Sequence, residues 1–296
     1  MTGCPVSAVV VTWNSGPVIA GCLTTLEREL PPGSEVIVVD NASSDSTVEL
    51  VHQLSPGARV IANDSNRGLA AANNQGMTAA KGDFFLIANP DVEFGPGSVR
   101  ALLDAMGRHA RAAWVGPKFL YEDGALQTSV GNLPTLAECI LGRQMVRRRS
   151  AGECTGCWWD GWAHDEERQV GRGFECAYLI RRAAADEIGL QDERYVLDWE
   201  GQDWVERFGR AGWQVWFTPE AEVVHLGGTA RRQVPFRSVV SQHRGMYFYY
   251  SDRSAPVWKP FLALAFGGRA AVKMVLTWVG VPLYAWAHRD RKEPGA

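Results

Sequence analysis

An α/β fold with a mainly parallel central sheet flanked by helices is the class that the sequence predicts. Three features predict it. Short β-branched runs alternate with helix-length segments over the first 120 residues, which is the pattern of βαβ units. Caps and glycines punctuate the changes between them: Ser43, Ser44 and Asp45 offer N-cap oxygens, and Gly68 and Gly82 bracket one helical segment. The apolar runs end on Thr, Asn and Asp, so polar groups collect where open α/β sheets bind ligands, outside the carboxyl ends of the strands.

In order, strands are expected at Val6 to Thr12, Glu35 to Asp40, Arg59 to Ala62, Phe84 to Ala88 and Ala113 to Gly116. Helices are expected near Pro17 to Glu29, Ser46 to Leu54, Ala70 to Ala80 and Ser98 to Met106. Between Leu120 and Arg172 the periodicity dissolves into Gly, Trp, Cys and charge, which reads as an irregular insertion near a site. Regular structure resumes with Gly173 to Ile180 and a helix over Ala183 to Ile188. An acidic aromatic stretch, Tyr195 to Trp204, leads into a helix ending by Gly212, then two strands near Val215 to Phe217 and Glu222 to His225. Residues 1–230 are expected to form the catalytic domain, and residues 231–296 a basic, aromatic helical extension.

The 296 residues carry 30 basic and 33 acidic side chains, a formal net charge of -3. A chain so balanced lacks the positive field that holds nucleic acid, so no nucleic-acid partner is expected. Residues 231–296 nevertheless hold eleven Lys or Arg against three Asp or Glu, so the tail and the body face different surroundings. Six cysteines are few for this length, and the first residues run straight into a strand-like segment. A cytoplasmic location follows, at the inner face of the cell membrane if the tail attaches there. The longest uncharged apolar run, Met274 to Ala287, stops at 14 residues, short of a membrane span.

Neither G-x-x-x-x-G-K-S/T, nor G-x-G-x-x-G between strand and helix, nor a G-x-S-x-G elbow is present. NTPase, dinucleotide oxidoreductase and α/β-hydrolase chemistry all lose support. A nucleotide site built from strand-end Asp and Asn remains. Asp40 follows four apolar residues and leads into a helix, where it either accepts hydrogen bonds from a base or ribose or merely forms an Asx-turn. Asp91, after Asn89 and Pro90, suits a hard divalent cation, Mg²⁺ or Mn²⁺, that bridges diphosphate oxygens, or else a plain turn.

Several segments together resemble the inverting glycosyltransferases of family 2. They are Val9 to Asn14, Val36 to Asp45, Asn66 to Gly76 and Ala88 to Val92, then Phe174 to Arg182, Trp199 to Asp203, Arg210 to Trp213 and Val223 to His225, in that order. The resemblance covers about Val6 to Gly228 and implies the nucleotide-diphospho-sugar transferase (GT-A) fold. The Asn89-Pro90-Asp91 form and the trailing His225 particularly resemble rhamnosyltransferases of bacterial cell-wall and surface glycans. By that resemblance Thr12, Asn14, Asp40 and Asn41 hold the nucleotide, while Arg67 and Asn73 belong to the donor loop. Asn89 takes the first position of the metal motif, and Asp91 and His225 hold the cation.

The chain departs from the family in its acidic stretch. The resemblance implies Glu-Asp-x-Asp with the second acid as general base, and Gly201 stands at that position. Asp203 is expected to serve instead, ahead of Glu200 and Asp198, unless one of these caps the following helix or pairs with Arg207 or Arg210. Trp199 and Trp204 flank the carboxylates and are expected either to stack on an acceptor sugar or to lie in the core. Cys154-x-x-Cys157 near His164 is short of the four ligands of a structural zinc site. Arg147 to Arg149 reads as solvated surface or as a contact for an anionic acceptor. The apolar segments Phe261 to Phe266 and Met274 to Trp286, interspersed with basic residues, suit either interfacial membrane helices or a hairpin packed on the body.

The function expected from these residues is metal-dependent, inverting transfer of a sugar from a nucleotide-diphosphate donor, best L-rhamnose from dTDP-rhamnose. The acceptor is a cell-envelope glycan or a lipid-linked glycan. Two alternatives stay open: a UDP-hexose transferase acting on a soluble natural product, and a nucleotide-sugar-binding scaffold that lost catalysis with the acid at 201.

Overall fold

The computed structural model describes residues 5–142, 156–227 and 233–279. In chain order its elements are β1 (Val6–Thr12), α1 (Ile19–Glu29), β2 (Glu35–Asp40), α2 (Thr47–Leu54), β3 (Arg59–Ala62), α3 (Leu69–Ala79), β4 (Phe84–Ala88), β5 (Val92–Phe94) and α4 (Ser98–Arg108). There follow β6 (Ala112–Leu120), β7 (Leu126–Gln127), β8 (Val130–Gly131), α5 (Leu136–Leu141), β9 (Arg168–Gln169), β10 (Arg172–Gly173), β11 (Ala177–Arg181) and α6 (Arg182–Ile188). The last are α7 (Glu200–Arg210), β12 (Gln214–His225), α8 (Pro235–Ser251) and α9 (Lys259–Trp278).

The main sheet runs β3-β2-β1-β4-β11-β6-β12-β5. Strands β1 to β4 are mutually parallel, β6 and β12 share their direction, and β11 and β5 run against it. Alternation along β1 divides the core: Val6, Ala8 and Val10 pack with Leu23, Val51 and Leu102 of α1, α2 and α4, and Val9 and Val11 pack with Ala72, Ala184 and Phe208 of α3, α6 and α7. Covered on both faces, the sheet leaves the ends of its strands as the open rim.

Two of the boundaries that differ from expectation involve proline. Strand β6 continues through Pro117 to Leu120, and β12 is one strand rather than two. Thr218 lies opposite Pro117, and the register between β6 and β12 shifts between Thr218 and Glu222, across Pro219. A proline removes a ladder donor, and the chain absorbs the gap as an irregularity without leaving the sheet. The irregular insertion also holds a short helix, α5, opened by a capping box in which Thr135 and Glu138 satisfy each other's backbone N–H groups.

The C-terminal helices are seated on the body. Tyr195 and Trp199 share a third apolar cluster with Met246, Tyr249, Leu262 and Phe266 of α8 and α9. Where the sequence shows two short apolar runs, the structure joins residues 259–278 into one helix, which is long and apolar enough to cross a membrane. Arg269 and Lys273 interrupt the run in sequence but not in the helix: Arg269 donates to Ile140 O at 2.7 Å and Lys273 to Gln242 at 3.1 Å.

Candidate active site

Parallel pairing of β1 with β2 sets Thr12 beside Asp40 at the rim. Asp40 is buried, and its Oδ1 accepts the hydroxyls of Thr12 at 2.8 Å and Ser43 at 2.5 Å, while Oδ2 accepts Ser43 N–H at 2.8 Å. Ser43 also takes the Asn14 N–H at 2.8 Å, and Asn14 Oδ1 takes the Ser44 N–H at 2.8 Å. Asn14 and Ala42 both adopt left-handed backbone, φ 47° and 63°. For Ala42 this costs about 1 kcal/mol, and it is held by the hydrogen bonds on either side. A carboxylate offers about four acceptor positions, so three protein bonds leave Asp40 about one for a ligand.

The other expected nucleotide residues divide by exposure. Arg67 is exposed, and Asn14 and Asn89 are half-buried at the rim. Thr12, Asn41 and Asn73 are buried, so they act behind the surface. Thr12 spends its hydroxyl on Asp40. Asn41 donates to Gly68 O at 3.2 Å and accepts the Arg67 N–H at 3.3 Å, which shapes the loop before α3. Asn73 donates to Gln191 at 3.1 Å, and Gln191 in turn donates to the Tyr178 hydroxyl at 3.1 Å. That loop is tied to the acidic stretch as well, because Leu69 N–H donates to Val196 O at 2.7 Å.

Beyond β4 the chain turns through Asn89 and Pro90 into β5, whose pairing with β12 sets His225 opposite Val92. His225 Nε2 thereby lies 3.7 Å from Asp91 Oδ2, both side chains being buried. Gln127 contacts His225 Nδ1 at 3.1 Å and Cys176 Sγ contacts Nε2 at 3.5 Å. Two ligands on one Mg²⁺ or Mn²⁺ at about 2.1 Å lie roughly 3 to 4 Å apart, so Asp91 and His225 would fit such an ion. Gln127, on the other ring nitrogen, orients the imidazole as second partners of metal-ligating histidines do. Among the described residues no group of three or more His, Cys, Asp or Glu converges as an all-protein cage.

In the acidic stretch two of the expected residues are set against protein partners. Asp203, expected as the base, has both oxygens held by guanidinium groups: Arg207 Nε reaches Oδ2 and an Arg253 NH2 reaches Oδ1, each at 2.8 Å. Its neighbours are Arg253 at the end of α8 and the underside of α7, and it is buried. A carboxylate so held anchors helices and is poorly placed to take a proton. Trp204, expected to meet an acceptor, is a core residue: it packs on Phe208, and its indole N–H donates to Gly189 O at 2.9 Å. Trp199 is buried too, in left-handed backbone at φ 77°, against Tyr249 and Gly245 of α8. Glu200 is buried in the first turn of α7, and Asp198 is half-buried with φ 72°.

His164 is a packed histidine, its ring tilted against Trp162 and its Nδ1 against Trp162 O at 2.8 Å; burial pushes its pKa down. Cys157 is buried, while Cys154 and the Arg147 to Arg149 run lie outside the described residues. Ser43, which the sequence offers only as a helix cap, and Gln127 and Cys176, which no spacing marks, support other side chains.

A family model for glycosyl transferase family 2 matches residues 7–162. The chain belongs to that family. It is a glycosyltransferase with the GT-A fold, and over 280 residues it is 30% identical to the N-acetylglucosaminyl-diphospho-decaprenol L-rhamnosyltransferase of Mycobacterium tuberculosis, covering 90% of each chain. A shorter match, 33% identical over 100 residues, joins 33% of this chain to 29% of the succinoglycan biosynthesis protein ExoO of Rhizobium meliloti. The fold is shared with a mannosyltransferase from Pyrobaculum calidifontis solved with GDP-Man and Mn²⁺, with a TM-score of 0.56 and 16% identity over 95% of this chain and 77% of that one. It is shared too with S. aureus TarS in complex with UDP-GlcNAc, at a TM-score of 0.52 and 14% identity over 88% and 71% of the two chains.

Proposed function

We propose that this glycosyltransferase moves L-rhamnose from dTDP-L-rhamnose to the sugar of a lipid-linked diphosphate acceptor, with inversion at the anomeric carbon. The similarity that spans 90% of both this chain and a rhamnosyltransferase whose acceptor is N-acetylglucosaminyl-diphospho-decaprenol carries the reading. The local geometry agrees: Asp40 keeps an acceptor position for a pyrimidine edge, with Asn14 and the Arg67 loop around it. Asp91 and His225 hold Mg²⁺ or Mn²⁺, which when bound neutralises charge on the departing diphosphate. The chain's own residues bind the base, orient the diphosphate and bring the acceptor hydroxyl to the anomeric carbon.

The outer face of α9 serves as a membrane foot. Leu262 and Phe266 are buried on the body, while Leu264 is 76% exposed and Trp278 78% exposed, with Phe261, Val272 and Val275 beside them. A helix with one face committed to protein lies along a bilayer rather than crossing it, and the positive charge of residues 231–296 favours anionic lipid. This foot brings the cleft to acceptors that are held in a membrane.

The test is transfer from dTDP-L-rhamnose to a short-chain N-acetylglucosaminyl diphospho-polyprenol with Mn²⁺, read by mass of the product. Release of dTDP that depends on acceptor is the expected result. Turnover with a UDP-hexose and none with dTDP-L-rhamnose refutes the donor. For the foot, the L264S/V275S/W278S variant should lose flotation with anionic vesicles while keeping its transfer to a detergent-dispersed acceptor. Undiminished flotation of that variant refutes it.

A further inference from the structure

The reaction proposed above requires a carboxylate at the acceptor, and Asp203 is held elsewhere. We infer that Glu175 is the general base of this enzyme, its carboxylate filling the space that a side chain at residue 201 would occupy. The inference rests on the glycosyltransferase reading and names a further catalytic residue within it.

Gly201 lies in the first turn of α7, and a Cβ built on it would fall inside the Glu175 carboxyl group, with Glu175 Oε1 only 2.6 Å away. Glycine at 201 is therefore what lets the Glu175 side chain lie against this turn, and any larger residue there would have to displace it. The segment that carries Glu175 forms a wall of the cation site. Cys176 O accepts the Asn89 N–H at 2.7 Å, Cys176 Sγ contacts His225 at 3.5 Å, and the Phe174 ring meets the His225 ring edge-on at 5.3 Å. This segment thus meets His225 through Phe174 and Cys176 and the start of α7 through Glu175.

Exposure separates it from Glu200 and Asp203, and position separates it from Asp198. Glu175 is half-buried, so it has solvent on one side and protein on the other. Glu200 is buried, Asp203 is clasped by two arginines, and Asp198 lies toward Lys273 of α9, whose charge it favours. Glu175 and Glu200 both add to the burial that holds the Tyr178 phenol well above its usual range, which places the two acids around one buried ring.

In the step this implies, a Glu175 oxygen takes the proton of the acceptor hydroxyl as that oxygen bonds to the anomeric carbon. The bond from that carbon to the diphosphate oxygen breaks, and its electron pair leaves with the nucleoside diphosphate. Protonated Glu175 then returns its proton to water. No redox partner is needed.

Two variants test it, with dTDP-L-rhamnose binding measured by calorimetry beside the transfer rate. Glu175→Gln keeps shape and should lower turnover by about 10²- to 10⁴-fold, the worth of a positioned base, with donor Kd within threefold of wild type. The double variant Glu175→Gly/Gly201→Asp returns a carboxylate to the same space from the other side, and should recover at least tenfold over Glu175→Gln. Turnover of Glu175→Gln within threefold of wild type, or a loss explained by weaker donor binding, overturns the assignment. So does a folded double variant that transfers no faster than Glu175→Gln. Failure of the wild-type chain to bind or use any nucleotide sugar is a different result, and it overturns the glycosyltransferase reading itself.

Discussion

Replacing Asp203 with Asn separates an anchor from a base, because the two roles predict opposite outcomes. The carboxylate joins Arg207, one turn along α7, to Arg253 at the end of α8, through hydrogen bonds of 2.8 Å to separate oxygens. An Asn keeps one acceptor oxygen and turns its amide donors toward the other guanidinium, so one charge-assisted bond is lost, about 1.5 to 3 kcal/mol. The full 3 to 5 kcal/mol of a broken buried pair is not reached. Arg253 keeps Glu206 at 2.6 Å and lies 3.9 Å over the Tyr249 ring, and the Arg207 side chain is 27% exposed. A loss of about 2 kcal/mol remains. At about 2 to 4 °C per kcal/mol for a chain of somewhat smaller size, Tm should fall by about 4 to 8 °C. Turnover below the transition should stay within threefold of wild type. Thermal melts and initial rates on the same preparation check both numbers. An unchanged Tm with turnover reduced a hundredfold would refute the anchor and restore Asp203 as the base.

Two other perturbations follow from the same geometry. Asp91→Ala should reduce transfer at least a hundredfold and abolish the Mn²⁺-dependent part of donor binding while leaving the melt unchanged within about 2 °C, since the residue lies at the rim; full activity in excess chelator would exclude the cation. His243 of α8 is buried beside Arg269 and Lys273, with Nδ1 at 2.7 Å from Val239 O and no partner for Nε2 among the described residues. Burial, aided by those two cations, pushes its pKa down from 6.5 to about 4. Because the folded value lies below the unfolded one, the stability this gives is complete above pH 6.5 and lost as pH falls toward 4. It amounts to at most about 3 kcal/mol. Denaturant midpoints at pH 7.5 and 5 should therefore diverge more for wild type than for His243→Leu, and equal divergence would sink the idea.

The parallel core was legible because it rests on local pattern. Val6 to Thr12, Glu35 to Asp40 and Phe84 to Ala88 are short apolar runs that pair in parallel about β1, and the polar residues at or just after their ends fall at the rim by the same rule. Asp40 and Asp91 could be picked out for that reason, and His225 only through the family resemblance. Which carboxylate faces the acceptor could not. Asp203 satisfies the motif order, but Arg253, fifty residues later and just beyond α8, takes one of its oxygens. Thr12 and Trp204 likewise have the right type and spacing, yet packing turns them inward. The reverse holds for Glu175: nothing in its own segment marks it, and only the meeting of the start of β11 with the first turn of α7 puts it against Gly201. Sequence alone determined the layers of this protein and the rim where its chemistry must lie, because both follow from periodicity and strand ends. Tertiary structure decided that Asp203 is clasped by arginines and that Glu175 lies against Gly201, because both depend on segments far apart in the chain.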